Sequence, residues 1–286
     1  TSPGEQAERH EAWHDRIREN VVAALAVERQ LELHARIADA LQELTPEALD
    51  AAAVHLVAAG QTARAAAAMI AAAERAADKL AFERAAQLFA EALAQVPDDD
   101  PRRRAIATRR GDALASAGRG QAAAKAYQQA LEEPGEQRLT ASEELELNRR
   151  AGEQLLRSGH VDEGLGAIDE VCRSVGMTLA KSPWRAAGAL LFRRAHLALR
   201  GLDFKERAAA EVPEGKLQQI DVCWSVSVGL SMVDTIRGAS FQTRQLLLAL
   251  DAGEPYRVAR ALSAEAAFIA TAGISREARV NQLLGQ

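Results

Sequence analysis

The chain has 286 residues, a formal net charge of −5 at pH 7 and an aromatic content of 4%. Acidic and basic residues are interspersed, whereas a nucleic-acid-binding arm carries a clustered excess of Lys and Arg, so we expect no nucleic-acid partner. No apolar run approaches the ~18 residues of a membrane span, and we expect no membrane partner. The polar first residues resemble neither a signal peptide nor a transit peptide, which predicts a cytoplasmic protein.

The composition favours helices over strands. Alanine, the strongest helix former, is unusually frequent. Long alternating runs of Val, Ile and Thr, which would indicate a sheet, are missing. We therefore predict an all-α fold.

One string carries the strongest structural signal: Gly111-Asp-Ala-Leu114, then Gly118, then Ala123-x-x-x-Tyr127. The small residues Gly111 and Ala123 allow two antiparallel helices to cross closely, and Leu114 and Tyr127 fill the space between them. Gly118 is suited to the left-handed conformation that ends a helix. This pattern resembles a tetratricopeptide (TPR) repeat.

Related patterns recur at 53–72, 85–97, 152–171 and 266–278. They predict an α-solenoid of TPR-like antiparallel helix pairs forming a superhelix. The array is degenerate, since Arg110 stands where Leu is usual and Gly164 where Ala is usual. We place the helix crossings at these small residues: Gly111, Ala123, Gly152 and Gly164.

Three regions follow from this pattern: a helical entry segment at 1–45, TPR-like repeats at 46–179, and degenerate TPR-like repeats at 180–286. The entry segment has amphipathic helices from Trp13 and over 31–44. Thr45 as a cap and Pro46 in the first turn predict a helix start, as does Pro183. Further helices are predicted at 184–199, 217–230, 233–250 and 256–271.

Two groups of strings resemble parts of a known family of signalling proteins. His14-Asp-Arg-Ile-Arg-Glu19 and Leu33-His-x-Arg36-Ile-Ala38 are similar to the exit from a STAND-type ATPase module. Asp221-Val-Cys-Trp224 and Gly253-Glu-Pro-Tyr256 resemble the repeat arm of bacterial serine/threonine kinase–ATPase regulators, related in architecture to the maltose-regulon activator. The resemblance implies an arm that senses a ligand or partner and regulates an attached ATPase or kinase.

No recognisable active site is present in the sequence. The six histidines and two cysteines show neither His-x-x-x-His nor Cys-x-x-Cys spacing, so we expect no metal. Gly164-Leu-Gly166 lacks the context of a dinucleotide loop, there is no P-loop, and Ser225 lies near no histidine in sequence. We therefore predict a protein that is not an enzyme and has no cofactor. Cys172 and Cys223 are predicted to be free thiols in the core, on separate repeats.

Two functions remain open. The first is a noncatalytic interaction and regulatory arm, whose partner is a protein or peptide, including other domains of the same polypeptide. Its groove positions would be Thr108, Asp112, Arg149, Glu153 and Arg157. The alternative is a sensor of a small-molecule inducer that controls an attached ATPase or kinase. Its pocket would be formed by Trp184, Trp224 and Phe241, whose other interpretation is core packing.

Two local features remain to be interpreted. The basic runs at 102–104 and 149–150 are interpreted as solvated faces that nearby acids neutralise, rather than as anion sites. The array stops inside a predicted second helix, where Ile274 and Val280 begin an apolar face that also includes Leu283 and Leu284. This predicts a piece of a larger regulator, truncated at the C-terminus, with weak self-association through the exposed solenoid ends.

Overall fold

The computed structural model describes residues 15–271, except 46, 181 and 232. Within these residues the fold consists of thirteen α-helices and the short 3-10 helix Ala209–Glu211, with no β-strand. The all-α prediction is therefore confirmed. None of the described helices is both long enough and apolar enough to cross a membrane. The chain divides into two compact units, Thr1–Pro97 and Asp98–Gln286.

The first unit is a sequence of helices that pack against their neighbours along the chain, α2 on α3, α3 on α4 and α4 on α5. Their bounds are α1 Asp15–Ala23, α2 Val27–Leu44, α3 Leu49–Ala58, α4 Thr62–Asp78 and α5 Phe82–Gln95. Most buried positions of α4 are alanines, together with Met69. Helix α4 is the second helix of the predicted repeat at 53–72. It is also the helix that packs before α5, which contains most of the predicted pattern at 85–97, so the two patterns share α4.

The predicted helix start at Thr45 is wrong. The Thr45 N–H donates to the Leu41 carbonyl at 2.9 Å and so ends α2, while α3 begins four residues later at Leu49. The Thr45 carbonyl then accepts a hydrogen bond from the Ala48 N–H. Thr45 therefore belongs to the turn between the two helices. Pro46 and the predicted Trp13 helix start lie outside the described residues.

The helices of the second unit are α6 Arg103–Ser116, α7 Gly120–Glu132, α8 Ala141–Arg157, α9 Val161–Ser174, α10 Pro183–Arg200, α11 Glu214–Leu230, α12 Thr235–Ala252 and α13 Pro255–Thr271. In this unit α6 to α9, and again α11 to α13, pack on their neighbours in chain order, whereas α10 packs on α12. Helix α11 also packs on α8. Helix α10, capped by Ser182 with Pro183 in its first turn as expected, is therefore an insertion among the paired helices.

Five helix ends in the described chain have the same backbone geometry. Gly60, Gly118, Gly159 and Gly176 have φ of +71°, +75°, +85° and +70°, and Leu80 occupies the equivalent position with φ of +60°. At each turn this residue donates to the carbonyl three positions back, and the next residue donates to the carbonyl five positions back. These bonds satisfy carbonyls that the helix end would otherwise leave unpaired. The same helix-ending turn is thus used in both units.

Close helix contacts occur at the predicted small residues. A Cβ built on Gly111 would lie 2.6 Å from the Tyr127 ring, and one on Gly164 would lie 2.8 Å from the Leu156 side chain. A Cβ on Gly152 would lie 3.0 Å from Ile168. Ala123 is completely buried in α7. The predicted crossings therefore coincide with positions at which a larger side chain has no room.

Both cysteines are free and buried, as predicted. Cys172 lies on α9 and Cys223 on α11, and both belong to one apolar core cluster. The Cys223 Sγ lies 3.7 Å from the Met177 Sδ. Burial raises the pKa of each thiol to about 12, so neither is present as the reactive thiolate near neutral pH. The predicted apolar end beyond 271 lies outside the described residues.

We expect Leu80→Gly to stabilise the fold. A left-handed conformation is unfavourable for a residue with a Cβ, and Leu80 is 73% exposed, so little apolar burial is lost. After allowance for the greater freedom of glycine in the unfolded chain, the gain should be about 0.5 kcal/mol. Urea denaturation would measure it. Leu80→Ala, which keeps the strain, is the control, and an equal gain from that variant would contradict this explanation.

We expect Gly111→Ala to destabilise the fold by about 1–3 kcal/mol, because the new methyl group would overlap the buried Tyr127 ring. Gly166→Ala is the matched control, since Gly166 is an exposed residue inside α9 and a Cβ added there would meet no atom within 4 Å. That change should be neutral or should stabilise α9 by up to about 1 kcal/mol. Equal denaturation midpoints for the two variants would show that the α6–α7 crossing is not tight.

Candidate functional site

Charged and aromatic side chains of α8, α11 and α13 converge on a cleft of about 380 Å³ in the second unit. We call it the charged cleft. It contains three acidic side chains, three arginines and two aromatic rings. Its lining residues are Glu146, Arg149, Glu153, Asp221, Trp224, Tyr256, Arg257 and Arg260.

A larger cavity of about 730 Å³ lies nearby, between α7, α8, α9 and the start of α11. Its described lining holds amides, hydroxyls and the carboxylates of Glu144, Glu170 and Glu214, with no basic or aromatic side chain. It therefore lacks the combination of ring faces and opposite charges that distinguishes the charged cleft.

Helix α8 contributes an ion-paired face to the cleft. Glu146, Arg149 and Glu153 are three and four residues apart, so they lie on one side of the helix. The Arg149 guanidinium donates to both oxygens of Glu146 at 2.7 Å and to Glu153 at 3.1 Å. It also donates to the Ser225 hydroxyl of α11, which in turn donates to Glu153 at 2.8 Å. This network joins α8 to α11.

Helices α11 and α13 are joined by a second network on the other side of the cleft. Asp221 accepts hydrogen bonds from Arg257 at 2.6 Å and from Arg260 at 2.5 Å. The Arg260 guanidinium lies 5.0 Å from the centre of the Trp224 ring and 5.5 Å from that of Tyr256. These are cation–π distances, so the arginine is held between two ring faces.

Glu254 fixes the start of α13 and hence the position of its arginines. Its carboxylate accepts hydrogen bonds from the backbone N–H groups of Tyr256 at 3.1 Å and Arg257 at 3.0 Å. It also accepts one from the Arg257 side chain at 3.1 Å. A carboxylate at a helix N-terminus satisfies otherwise unpaired N–H groups and interacts favourably with the helix dipole.

The electrostatics of the cleft favour the charged form of each partner. Burial disfavours the charge on Arg149, but its hydrogen bond to Glu146 and the charges of Glu146, Glu153 and Asp221 outweigh burial and raise its pKa. Burial likewise opposes ionisation of Glu146, while Arg149 and Arg150 lower the pKa of this carboxyl below its usual value. The result is a set of opposite charges held in place near neutral pH.

The structure brings together only two of the five predicted groove residues. Arg149 and Glu153 line the charged cleft, whereas Arg157, which is 57% exposed, does not line it although it pairs with Glu153 at 3.6 Å. The Thr108 hydroxyl donates to the Arg104 carbonyl of its own helix. Asp112 lies elsewhere on α6 and does not line the cleft.

Asp112 links three helices through two side-chain hydrogen bonds. It accepts hydrogen bonds from the Tyr127 hydroxyl at 2.7 Å and from Arg150 at 2.9 Å. Burial, followed by the hydrogen bond to Asp112, raises the pKa of Tyr127. Asp112 therefore orients the ring that fills the α6–α7 crossing, and it does not line the charged cleft.

From the α11 and α13 half of the cleft, only Trp224 was predicted from the sequence as a site residue, in the alternative sensor pocket. Asp221 and Trp224 are three residues apart in the otherwise apolar middle of α11, and Tyr256 and Arg260 are four apart on α13. A charged residue one helical turn from an aromatic residue, within an otherwise apolar helix, was the sequence feature that pointed to this half of the cleft. It indicates a polar contact, but the tertiary fold determines which helix supplies the partner.

The basic runs are neutralised by acids, as predicted, but they are not uniformly solvated. Arg103 pairs with Glu133 at 2.5 Å, and its side chain is only 13% exposed. Arg102 pairs with Asp100 at 2.7 Å. Arg149 is similarly enclosed, with 15% of its side chain exposed. The enclosed Arg103–Glu133 pair links α6 to the end of α7, whereas the Arg102–Asp100 pair is local and its arginine is exposed.

The three aromatic residues proposed for a sensor pocket do not share a cavity. Trp184 is 87% exposed and Phe241 is 4% exposed. Trp224 lines the charged cleft, while Phe241 lines a different cavity, at α10 and α12. The prediction of one aromatic pocket is therefore wrong, because the insertion of α10 separates Trp184 from the paired helices.

Two histidines of the first unit meet although their sequence spacing gave no sign of it. The Nδ1 atoms of His34 on α2 and His55 on α3 lie 2.8 Å apart. Burial, and then the charge of His34, lowers the pKa of His55. Within the described part of the chain, no group of three or more His, Cys, Asp or Glu side chains is arranged to hold a metal ion.

Comparisons with protein-family models, with curated proteins and with solved structures find no match for this chain. The interpretation of the site therefore rests on its geometry and chemistry.

We expect Glu146 to make the stability of the second unit pH-dependent. Its pKa is lowered from 4.5 on folding, so the ionised carboxylate stabilises the fold at higher pH, and this contribution is lost as the pH falls through the folded-state pKa. The melting temperature of Glu146→Gln should therefore lie below that of the native chain near neutral pH, with the difference shrinking in acid. Glu144→Gln, an exposed change on the same helix, is the control.

Melting curves recorded across the acid range measure this difference directly. Glu133 and Glu254 also have lowered pKa values, but they are present in both chains, so the difference isolates Glu146. A pH-independent difference would show that Glu146 contributes through packing alone.

Proposed function

We propose that this chain is a noncatalytic TPR-like interaction and regulatory arm that binds a peptide segment of a partner protein in the charged cleft. The main support for this proposal is that Trp224, Tyr256 and three arginines line one cleft. Trp, Tyr and Arg are the residue types that dominate binding energy at protein interfaces. Packed helix pairs with a repeated turn geometry support the solenoid interpretation.

The cleft provides a rigid surface that is already formed. Arg260 is held by Asp221 and by two ring faces, so little side-chain freedom remains to be lost when a partner binds. Tyr256 is 66% exposed and offers ring surface to an incoming group. Charges of both signs around the ring fit a segment that carries an apolar side chain flanked by charged residues.

The chemistry of the cleft favours binding over catalysis. The buried Ser225 hydroxyl beside the cleft is a candidate nucleophile, but its hydrogen-bond partners are Arg149 and Glu153. An arginine does not accept a proton, and the Glu153 carboxylate already pairs with Arg149 and Arg157. The proposal therefore includes no enzymatic step and no cofactor.

The binding test starts with peptides selected by display on the immobilised chain and measures their affinity by fluorescence anisotropy. We expect Tyr256→Ala to weaken binding at least about tenfold, the effect of a modest interface hot spot. The fold should persist because the ring is mostly exposed. Phe192→Ala on α10, which removes an equally exposed aromatic ring away from the cleft, should leave affinity unchanged.

Raised salt should also weaken binding, because charged groups surround the ring. Equal affinity of all selected peptides for the native chain and for Tyr256→Ala would exclude the charged cleft as the binding site. Arg149 is unsuitable as a first variant, because its removal leaves Glu153, which is only 14% exposed, without its closest cationic partner.

A further inference from the structure

A third cavity, of about 410 Å³, lies between α10, the start of α12 and residues 178–180. Its polar lining is dominated by arginine: Arg185 and Arg193 from α10, and Arg237 from α12. Ser240 and Phe241 complete the wall on α12. The lining among the described residues contains no carboxylate. We call this cavity the arginine pocket.

The cations of the arginine pocket are only partly neutralised. Arg237 pairs with Asp234 at 2.7 Å and donates to the Ala180 carbonyl at 2.7 Å. Arg193 donates to the Ser240 hydroxyl but has no acidic partner within 4.0 Å among the described residues. Arg185 likewise has no acidic partner there. Two positive charges are therefore left uncompensated at one cavity.

Arg193 lies in an electrostatically unfavourable environment. It is half-buried, and the half-buried Arg244 on α12 lies close enough to act on it. Burial and then the charge of Arg244 lower the pKa of Arg193. Arg149 and Arg194, which are enclosed to a similar degree in this unit, each contact a carboxylate. An anion in the pocket would remove this unfavourable feature.

We propose that the arginine pocket binds the phosphate group of a phosphate monoester. Such a group carries between one and two negative charges near neutral pH, which matches the two uncompensated arginines. A guanidinium fork donates two parallel hydrogen bonds to phosphate oxygens, and the Ser240 hydroxyl is a further donor. The cavity also accommodates an organic substituent, which would contact Phe241 and the α10 alanines.

Two kinds of molecule carry this group: a soluble phosphate ester and an anionic phospholipid with a phosphate monoester headgroup. The second is relevant because α10 exposes an apolar face beside the pocket. Trp184, Leu191, Phe192 and Leu199 on this face are each at least 70% exposed. Apolar and aromatic residues on one side of a basic helix favour binding at a lipid interface.

The test measures binding of phenyl phosphate by isothermal titration calorimetry and sedimentation with vesicles of phosphatidylcholine, with and without phosphatidic acid. Saturable binding of phenyl phosphate identifies a soluble ester. Sedimentation that requires phosphatidic acid, without phenyl phosphate binding, identifies the headgroup. In either case Arg193→Gln should weaken binding about tenfold or more. It should leave the melting temperature of the ligand-free chain unchanged or raised, because a poorly compensated charge is removed.

Arg200→Gln is the matched control, since it removes the same charge from the same helix at a residue that pairs with Asp251 outside the pocket. It should bind as the native chain does. Arg185→Gln is a second variant at an exposed side chain, and it should also weaken binding if Arg193→Gln fails to fold. Binding of neither probe, or equal binding by the native chain and both pocket variants, would overturn the proposal. Neither outcome bears on the charged cleft.

Discussion

Close packing of helices over small side chains is the constraint on which the rest of this structure depends. Gly111 and Gly164 lie against Tyr127 and Leu156 with no space for a methyl group. The first unit reaches similar closeness by burying alanines along α4. Small residues bring backbones together but bury little apolar area each, so the helices need further interactions to hold them in register.

Ion pairs between helices supply many of these interactions in the second unit. Arg149 joins α8 to α11, and Asp221 joins α11 to α13. Such pairs add little where they are exposed, but the enclosed Arg149 and Glu153 are costly to separate, since either one alone would be a charge with reduced access to water. The same groups therefore hold the helices together and shape the charged cleft.

Arginine has two different environments in this unit. In the charged cleft each guanidinium faces a carboxylate, so the charges of the surface balance and its side chains are held in place. Such a surface suits a peptide segment that packs on the aromatic rings of the cleft. In the arginine pocket two guanidiniums have no acidic partner among the described residues, which suits an anionic ligand. The two sites involve different helices and offer different chemistry, the first proposed for a peptide segment and the second for a phosphate monoester.

Local chemistry in the sequence was sufficient to predict the all-α fold, the turn at Gly118 and the crossing at Gly111. Each depends on backbone propensity or side-chain size within one helix pair, which sequence spacing reports directly. The start of α3 was mispredicted because threonine is as suitable for a turn as for a helix N-cap. Here the Thr45 N–H donates to the Leu41 carbonyl of α2, so Thr45 ends that helix instead of starting α3.

Only the tertiary structure determined which polar residues share a site. Arg149 meets Ser225 across 76 positions of sequence, and Asp221 meets Arg257 across 36, because α11 packs on α8 while α10 packs aside on α12. The helical period in a sequence reveals which residues share a face, but not which helix that face meets. For the same reason the hydrogen bond between Asp112 and Tyr127, and the lack of an acidic partner for Arg193 among the described residues, could be recognised only once their neighbours were known.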